Sequence, residues 1–149
     1  MSTTSDRKSR PRLVLVNRAL ILNKKGELLL IQRSKDDTWQ PNKWELPGGK
    51  LDAGQDISNA LEREALEETG LVVVPIDKIV YMHSEILTKG KYKGLSYIVL
   101  VGLTKHIGNR VTLSDEHQDF AWVSAEQALK YNLTQATRAA ITVLENKLS

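Results

Sequence analysis

The sequence contains no cysteine, and it has no long uninterrupted run of hydrophobic residues. The lack of cysteine excludes disulfides and thiolate metal sites and is typical of proteins from a reducing compartment. A membrane-spanning helix needs about 20 apolar residues, which no segment approaches, and no signal-peptide pattern opens the chain. We therefore expect a cytoplasmic protein that does not interact with membranes.

The composition fits one ordinary globular domain. The 149 residues are 41% hydrophobic and 26% charged, close to the average of folded proteins, and the chain is long enough to bury a sizeable core. No internal repeat and no domain boundary is visible. We predict a single domain over residues 12–149 and a disordered basic tail over residues 1–11.

The tail accounts for the basic character of the chain. Residues 1–12 contain four basic residues and one acidic residue, which supplies the whole net charge of +3. A short basic terminus can contact phosphates but is more often only solvated, so nucleic acid is not the partner that we expect. Binding of RNA or DNA through the tail stays an alternative hypothesis.

A helix between Asp56 and Gly70 carries the most informative pattern. Asp56 is suited to cap its start, and Gly70 is suited to the left-handed conformation that ends a helix. Four residues, spaced by four, three and four positions, share one face of this helix: Ile57, Leu61, Glu64 and Glu68. The face that should pack on the core therefore changes from apolar to acidic halfway along.

Acidic residues are concentrated around this helix. Residues 52–68 hold six acids and one base. A solvated acidic surface is the usual explanation of such a run. The glycines just upstream favour a ligand instead, because backbone without side chains can approach one closely. Mg²⁺ binds carboxylate, water and phosphate oxygens, and it would remove the repulsion between Glu64 and Glu68.

Residues 44–71 resemble the Nudix box with its usual approach, Trp44-Glu45-Leu46-Pro47-Gly48-Gly49. The positions that match the fixed part of the box are Gly49, Arg63, Glu64, Ala65, Glu67, Glu68, Gly70 and Leu71. One fixed position differs, since Gln55 stands where the family has Glu. A pattern with so many fixed positions is far more specific than a short glycine motif. The chain is therefore similar to the Nudix hydrolases (MutT-like), most closely over residues 44–71 and more loosely over 12–145.

The resemblance implies an α/β fold, a Nudix-type α/β/α sandwich with a mixed β-sheet. The box helix is expected on one face of the sheet and the C-terminal helix on the other. Runs typical of strands cover residues 13–16, 19–22, 28–31, 71–74, 76–87, 95–103, 111–113 and 120–123. Ser124 and Gln127 predict a capping box before a short helix, and Thr134 is suited to cap the last helix.

The resemblance also implies the site. Glu64, Glu67 and Glu68, with the carbonyl of Gly48, would hold Mg²⁺, for which Mn²⁺ can substitute. The catalytic carboxylates are expected to be Glu64, Glu67, Glu68 and Glu116, any of which could be the general base. Structural roles in the box fall to Gly49, Gln55, Arg63 and Gly70.

Gln55 keeps the length and one acceptor oxygen of the family Glu. We therefore expect its hydrogen bond to Arg63 to survive without the charge attraction, so that the loop keeps its shape while metal affinity or rate falls. A Nudix-like nucleotide-binding module with weak or no catalysis is the alternative that this residue supports. The three retained helix carboxylates argue for the enzyme.

Three residues outside the helix are candidates for substrate contacts. Arg33 could bind a diphosphate with two guanidinium nitrogens, Lys50 could contact a phosphate, and Trp39 could stack on a nucleobase. Arg33 and Trp39 have equally ordinary interpretations, as a surface arginine and a packed aromatic residue. His117 is expected to be structural or exposed rather than catalytic.

By resemblance, the reaction is hydrolysis of the phosphoanhydride bond of a nucleoside diphosphate linked to another group. We expect a nucleoside triphosphate or an oxidised nucleotide, and the alternative is an ADP-sugar or ADP-ribose pyrophosphatase. No proline or tyrosine stands at the downstream positions that mark the ADP-ribose and dinucleoside polyphosphate subfamilies. The partner is then a small-molecule nucleotide, and the sequence leaves a homodimer open.

Overall fold

The computed structural model describes residues 12–148, so the predicted basic tail lies outside the described residues. The strands are β1 (Leu13–Leu22), β2 (Leu28–Arg33), β3 (Trp44–Glu45), β4 (Gly48–Leu51), β5 (Val72–Ile86), β6 (Ser96–Gly108) and β7 (His117–Val123). The helices are α1 (Ile57–Thr69), α2 (Ala125–Ala128) and α3 (Gln135–Leu148). Among residues 12–148, no helix has the length and apolar character that crossing a membrane requires.

The strands form one mixed sheet in the order β3-β2-β1-β6-β5, with β4 also paired to β1 and β7 to β2. Strands β1 and β6 are parallel along their whole paired length, and the other pairs are antiparallel. Strands β1 and β2 pair only at Leu22 and Leu28, so they diverge beyond that point. Strands β3 and β4 fill the gap between them. The segment that leads into α1 is therefore part of the sheet.

Helices cover both faces of this sheet. Alternate residues of β1 point to opposite faces, so Ala19 and Ile21 pack under α1 while Val16 and Leu20 pack on the other side. Leu61 and Ala65 of α1 belong to the first cluster, and Ala140 and Ile141 of α3 belong to the second. The arrangement confirms the expected α/β/α sandwich.

The predicted helix ends are confirmed. The Asp56 side chain accepts a hydrogen bond from the backbone N–H of Asn59, and Gly70 has φ 72° at the C-cap of α1. Ser124 and Gln127 form the reciprocal capping box that opens α2. These ends were predictable because the signals lie within a few residues of each other.

Three predicted segments differ from the structure. Residues 111–113 are not a strand, and Thr112 instead donates its N–H to the carbonyl of Thr69. The expected break at Pro75 is a local irregularity within one long strand, because proline is tolerated on an edge strand such as β5. Gly48–Leu51 is a strand although its two glycines are typical of a loop, because β1 supplies a pairing partner that is distant in sequence.

Candidate active site

Two glycines let strand β4 lie against both β1 and α1. Gly48 pairs with Arg18, and a Cβ atom on Gly48 would lie 2.2 Å from the backbone oxygen of Asn17. A Cβ atom on Gly49 would lie 2.8 Å from Oε1 of Glu64. The absence of side chains at both positions therefore brings the carboxylates of α1 against the backbone of the sheet.

An acidic cavity lies where β4, α1 and the segment before β7 meet. Its lining consists of Gly48, Gly49, Glu64, Glu67, Glu68, Ser114, Asp115 and Glu116. The structure thus brings together the four acids predicted to be catalytic and the glycine predicted to bind metal. Their individual roles stay predictions.

Glu68 is the most buried acid of the cavity. It is 8% exposed, and its Oε2 accepts a hydrogen bond of 2.8 Å from the backbone N–H of Gly48. Burial raises the pKa of Glu68 to about 8, and nearby Glu64 and Glu45 add to the rise, while the Gly48 N–H and Arg18 oppose it. An acid in this position favours either a proton or a cation.

The pKa of Glu64 is raised for the same reasons as that of Glu68. Burial raises the pKa of Glu64, and the charges of Glu67 and Glu116 raise it further, whereas Arg63 lowers it. Glu67 is more exposed and forms an ion pair of 3.1 Å with Arg63. The cavity therefore concentrates carboxylate oxygens whose negative charge is only partly balanced by nearby basic side chains. This fits a hard divalent cation such as Mg²⁺. Such an ion would be held by Glu64, Glu67, Glu68 and the carbonyl of Gly48.

The raised pKa of Glu68 predicts how the metal-free protein responds to pH. Unfolding releases the Glu68 proton at any pH between the unfolded pKa near 4.5 and the folded value of about 8. The free energy of unfolding should therefore be highest below that window and fall as pH rises through it, by up to about 5 kcal/mol for this one group. Chemical denaturation in EDTA at pH 5 and pH 8 measures the change.

Glu68→Gln is the matched variant for this titration. The variant should be more stable than the wild type at pH 8 without divalent cations, and the difference should shrink towards pH 5. Saturating Mg²⁺ should restore the wild type at pH 8, because a bound cation favours the ionised carboxylate. Parallel pH profiles of the two proteins in EDTA would contradict the prediction.

The expected hydrogen bond between Gln55 and Arg63 is not formed. Gln55 Oε1 instead accepts the backbone N–H of Asp52 at 2.8 Å, which closes the turn before α1. Arg63 donates to Glu67 and Glu64 on its own helix. The neutral amide has no charge with which to compete for Arg63, so the expectation that this bond survives was wrong.

Arg33 and Trp39 lie together, but Arg33 is already paired. Its guanidinium donates to Glu45 at 3.0 Å and to Asp37 at 2.6 Å. The same group lies 5.3 Å from the centroid of the Trp39 ring, and Trp39 is 64% exposed. Arg33 is therefore held in place by two carboxylates. Lys50, the third candidate, donates to the Tyr92 hydroxyl at 2.6 Å.

A second cavity of about 440 Å³ lies on the α3 side of the sheet, and sequence reasoning missed it. Its wall includes four aromatic and three basic side chains: Trp39, Tyr81, Tyr92, Tyr97, Arg18, Lys89 and Lys91. These residues come from five separate segments of the chain. Their convergence depends on the register of β5 against β6, which no local pattern reveals.

Glu45 is a functional candidate that no sequence pattern indicates. Its side chain is almost fully buried and lies within 3.4 Å of Arg18, 3.0 Å of Arg33 and 2.9 Å of His117 Nε2. Burial alone would raise the pKa of Glu45, but the hydrogen bond from His117 and the two arginine charges outweigh it and lower that pKa. Glu45 is therefore an ionised carboxylate on the wall of the second cavity.

A mixed sheet between helices, with acids from one helix gathered against a Gly-Gly strand, defines an α/β/α fold equipped to bind divalent cations. The NUDIX domain family model matches residues 13–144. The chain therefore belongs to the NUDIX domain family. This confirms the resemblance identified from the box.

Individual relatives agree with the family assignment. Nucleoside triphosphatase NudI of Escherichia coli O139:H28 is 30% identical over 126 residues, covering 81% of this chain and 89% of the relative. The MutT protein from Methanosarcina mazei Go1 superposes with a TM-score of 0.77 at 30% identity, covering 94% of this chain and 98% of that one. An Ap4A hydrolase of C. elegans, in a binary complex, superposes with a TM-score of 0.69 at 25% identity, covering 91% of this chain and 97% of that one.

The family assignment makes the chain a Nudix hydrolase, an enzyme that acts on acid anhydrides of nucleotides. Members of this family generally use a divalent metal ion. The acidic cavity supplies the oxygen donors that such an ion needs.

Proposed function

We propose that the protein is a Mg²⁺-dependent pyrophosphohydrolase of nucleoside triphosphates, including oxidised nucleotides. The observation that carries the proposal is the presence of two different cavities, with Arg18 of the second close enough to Glu64 and Glu68 of the first for its charge to act on their pKa values. One presents carboxylates that suit a cation, through which a diphosphate can bind, and the other presents aromatic rings that suit a base. The similarity to NudI, whose name is that of a nucleoside triphosphatase, supports the choice of substrate.

The diphosphate is assigned to the acidic cavity. A divalent cation there supplies charge neutralisation on the phosphates and activation of water. Glu64, Glu67, Glu68 and the Gly48 carbonyl hold the cation in this proposal. The general base is one of the four carboxylates, Glu64, Glu67, Glu68 and Glu116, since each lines the same space.

The nucleoside is assigned to the second cavity, and the one phosphate outside the diphosphate is assigned to its rim. Trp39 and Tyr97 offer aromatic faces on which a base can stack, and Lys89 and Lys91 offer positive charge at the tip between β5 and β6. Lys50 bridges to this tip through Tyr92. Basic side chains at the rim favour a polyphosphate over a neutral group.

A substrate panel tests the proposal. Release of phosphate and pyrophosphate is measured for the ribonucleoside and deoxyribonucleoside triphosphates, 8-oxo nucleotides, ADP-ribose, an ADP-sugar and Ap4A, each with Mg²⁺ and with Mn²⁺. We expect the highest kcat/KM for a triphosphate, with pyrophosphate as a product. A preference for ADP-ribose or the ADP-sugar would favour the pyrophosphatase alternative.

The same panel decides the binding-module alternative, for which Gln55 is the sequence support. Tight binding of one nucleotide by calorimetry, with no turnover of any compound in either metal, would contradict the proposed enzyme. Gln55→Glu restores the residue of the family pattern and is the matched variant. Turnover that appears only in this variant would show that Gln55 is the residue that prevents catalysis.

A further inference from the structure

His117 has one imidazole nitrogen that is paired and one that is not. The residue begins β7, directly after Glu116, and is 7% exposed. Its Nε2 lies 2.9 Å from Oε2 of Glu45. Its Nδ1 is buried and has no hydrogen-bond partner within the described range 12–148. A buried polar atom without a hydrogen-bond partner costs free energy, and a ligand bound to it would remove that cost.

Glu45 determines which nitrogen carries the proton. Its ionised carboxylate can only accept hydrogen bonds, so Nε2 of His117 must be the donor. In the neutral imidazole, the lone pair then lies on Nδ1. A carboxylate that fixes a histidine tautomer in this way is the usual support of a metal-ligating histidine.

His117 stands directly after Glu116, which lines the acidic cavity. One ring nitrogen of His117 and one carboxylate oxygen each of Glu68 and Glu116 all lie within 4.8 Å of one another. Neighbouring ligands of one octahedral cation at about 2.1 Å are about 3 Å apart, so the group must close by up to about 2 Å to share an ion. Glu116 is exposed and free of dense packing, so it can make that shift.

We propose that Nδ1 of His117 ligates a divalent cation together with Glu68 and Glu116, and that Glu45 is the positioning residue that orients the imidazole. The inference rests on the proposed function only in placing a cation in the acidic cavity. It adds a nitrogen ligand to a site otherwise made of oxygen. Imidazole suits transition ions better than Mg²⁺, so this position should select Mn²⁺ or Co²⁺.

Electron spin echo envelope modulation of bound Mn²⁺ tests the ligand directly, because a coordinated imidazole gives a characteristic ¹⁴N coupling. The tag-free wild-type chain is loaded with one equivalent of Mn²⁺, without nucleotide. The chain contains three histidines, so the double variant His83→Gln/His106→Gln leaves His117 as the sole imidazole. We expect the ¹⁴N coupling in the wild type and in the double variant, and its loss in His117→Gln.

The outcomes are decisive even if His117→Gln fails to fold. Absence of ¹⁴N coupling from stoichiometrically bound Mn²⁺ in the wild type would overturn the proposal, as would its loss in the double variant. Calorimetry gives the second measurement: His117→Gln should weaken Mn²⁺ binding at least tenfold and Mg²⁺ binding less. An equal loss for both ions would mean a structural role for His117 only.

Glu45 has its own test. Glu45→Gln should weaken Mn²⁺ binding by about tenfold, in line with other carboxylates that orient a ligating histidine. Glu85 lies, like Glu45, on the wall of the second cavity. Glu85→Gln is therefore the matched control and should leave Mn²⁺ affinity unchanged. Equal effects of the two variants would overturn the positioning role.

The ligand proposal and the proposed function can fail separately. Triphosphate hydrolysis without ¹⁴N coupling would remove His117 from the site and leave the enzyme assignment intact. A ¹⁴N coupling in a protein that turns over no nucleotide would keep the ligand and remove the proposed activity.

Discussion

Glu68→Gln should lower kcat for Mg²⁺-dependent hydrolysis by about a thousandfold or more, while the protein stays folded. The carboxylate is buried against the Gly48 N–H in the acidic cavity, so its loss removes the proposed metal ligand from a position that water cannot take. A thousandfold corresponds to about 4 kcal/mol of transition-state stabilisation, which is within the range that a catalytic metal supplies. Steady-state kinetics on the best substrate of the panel gives the value.

Glu62→Gln is the control for this loss. Glu62 is exposed on the same helix and does not line the acidic cavity, so its neutralisation changes the helix charge equally but leaves the site intact. Its kcat should remain within about twofold of the wild type, because exposed surface substitutions have small effects. Full activity in Glu68→Gln, or an equal loss in Glu62→Gln, would show that Glu68 does not hold the metal.

Gly48→Ala should lower the free energy of unfolding by about 3 kcal/mol and abolish activity. The new Cβ would lie 2.2 Å from the Asn17 oxygen and 2.6 Å from the Arg18 Cα, both of which are backbone atoms of β1. Backbone cannot move aside as a side chain can, so the pairing of β4 with β1 must open. Urea denaturation in EDTA measures the stability without a contribution from metal.

Gly49→Ala is the instructive comparison. There the three atoms nearest to the new Cβ all belong to the Glu64 carboxylate, with Oε1 at 2.8 Å, and a side chain can rotate away. We expect Gly49→Ala to stay within about 1 kcal/mol of the wild type in stability but to bind Mn²⁺ and Mg²⁺ more weakly. Equal destabilisation by the two substitutions would contradict this difference between backbone and side-chain contacts.

The local features of the site were accessible from sequence because their signals are short-range. The Asp56 and Gly70 caps bound α1, and the spacing within it placed Glu64 and Glu68 on one face. The placement of Gly48 and Gly49 in a strand could not be predicted from short-range signals. Glycines suggest a loop, and only the pairing with β1, about thirty residues earlier in the chain, makes them a strand.

The buried pair of Glu45 and His117 shows what sequence reasoning could not reach. The two residues are 72 positions apart: Glu45 lies between Trp44 and Leu46, His117 lies in a polar stretch, and neither position is marked by a local pattern. Their contact depends on β2, which pairs with β3 on one side and with β7 on the other. Arg33 was singled out for phosphate, yet the same geometry places it against Glu45 and Asp37.

Strand β5 forms one edge of the sheet, and the irregularity near Pro75 affects how copies of the protein meet. Val72, Val74 and Ile76 leave apolar surface exposed beside that edge. Pro75 has no N–H to offer, and the ladder to β6 is out of register between Pro75 and Ile79. A second molecule cannot extend an unbroken hydrogen-bonded sheet from such an edge. The irregularity therefore disfavours edge-to-edge pairing of two copies along this apolar part of β5.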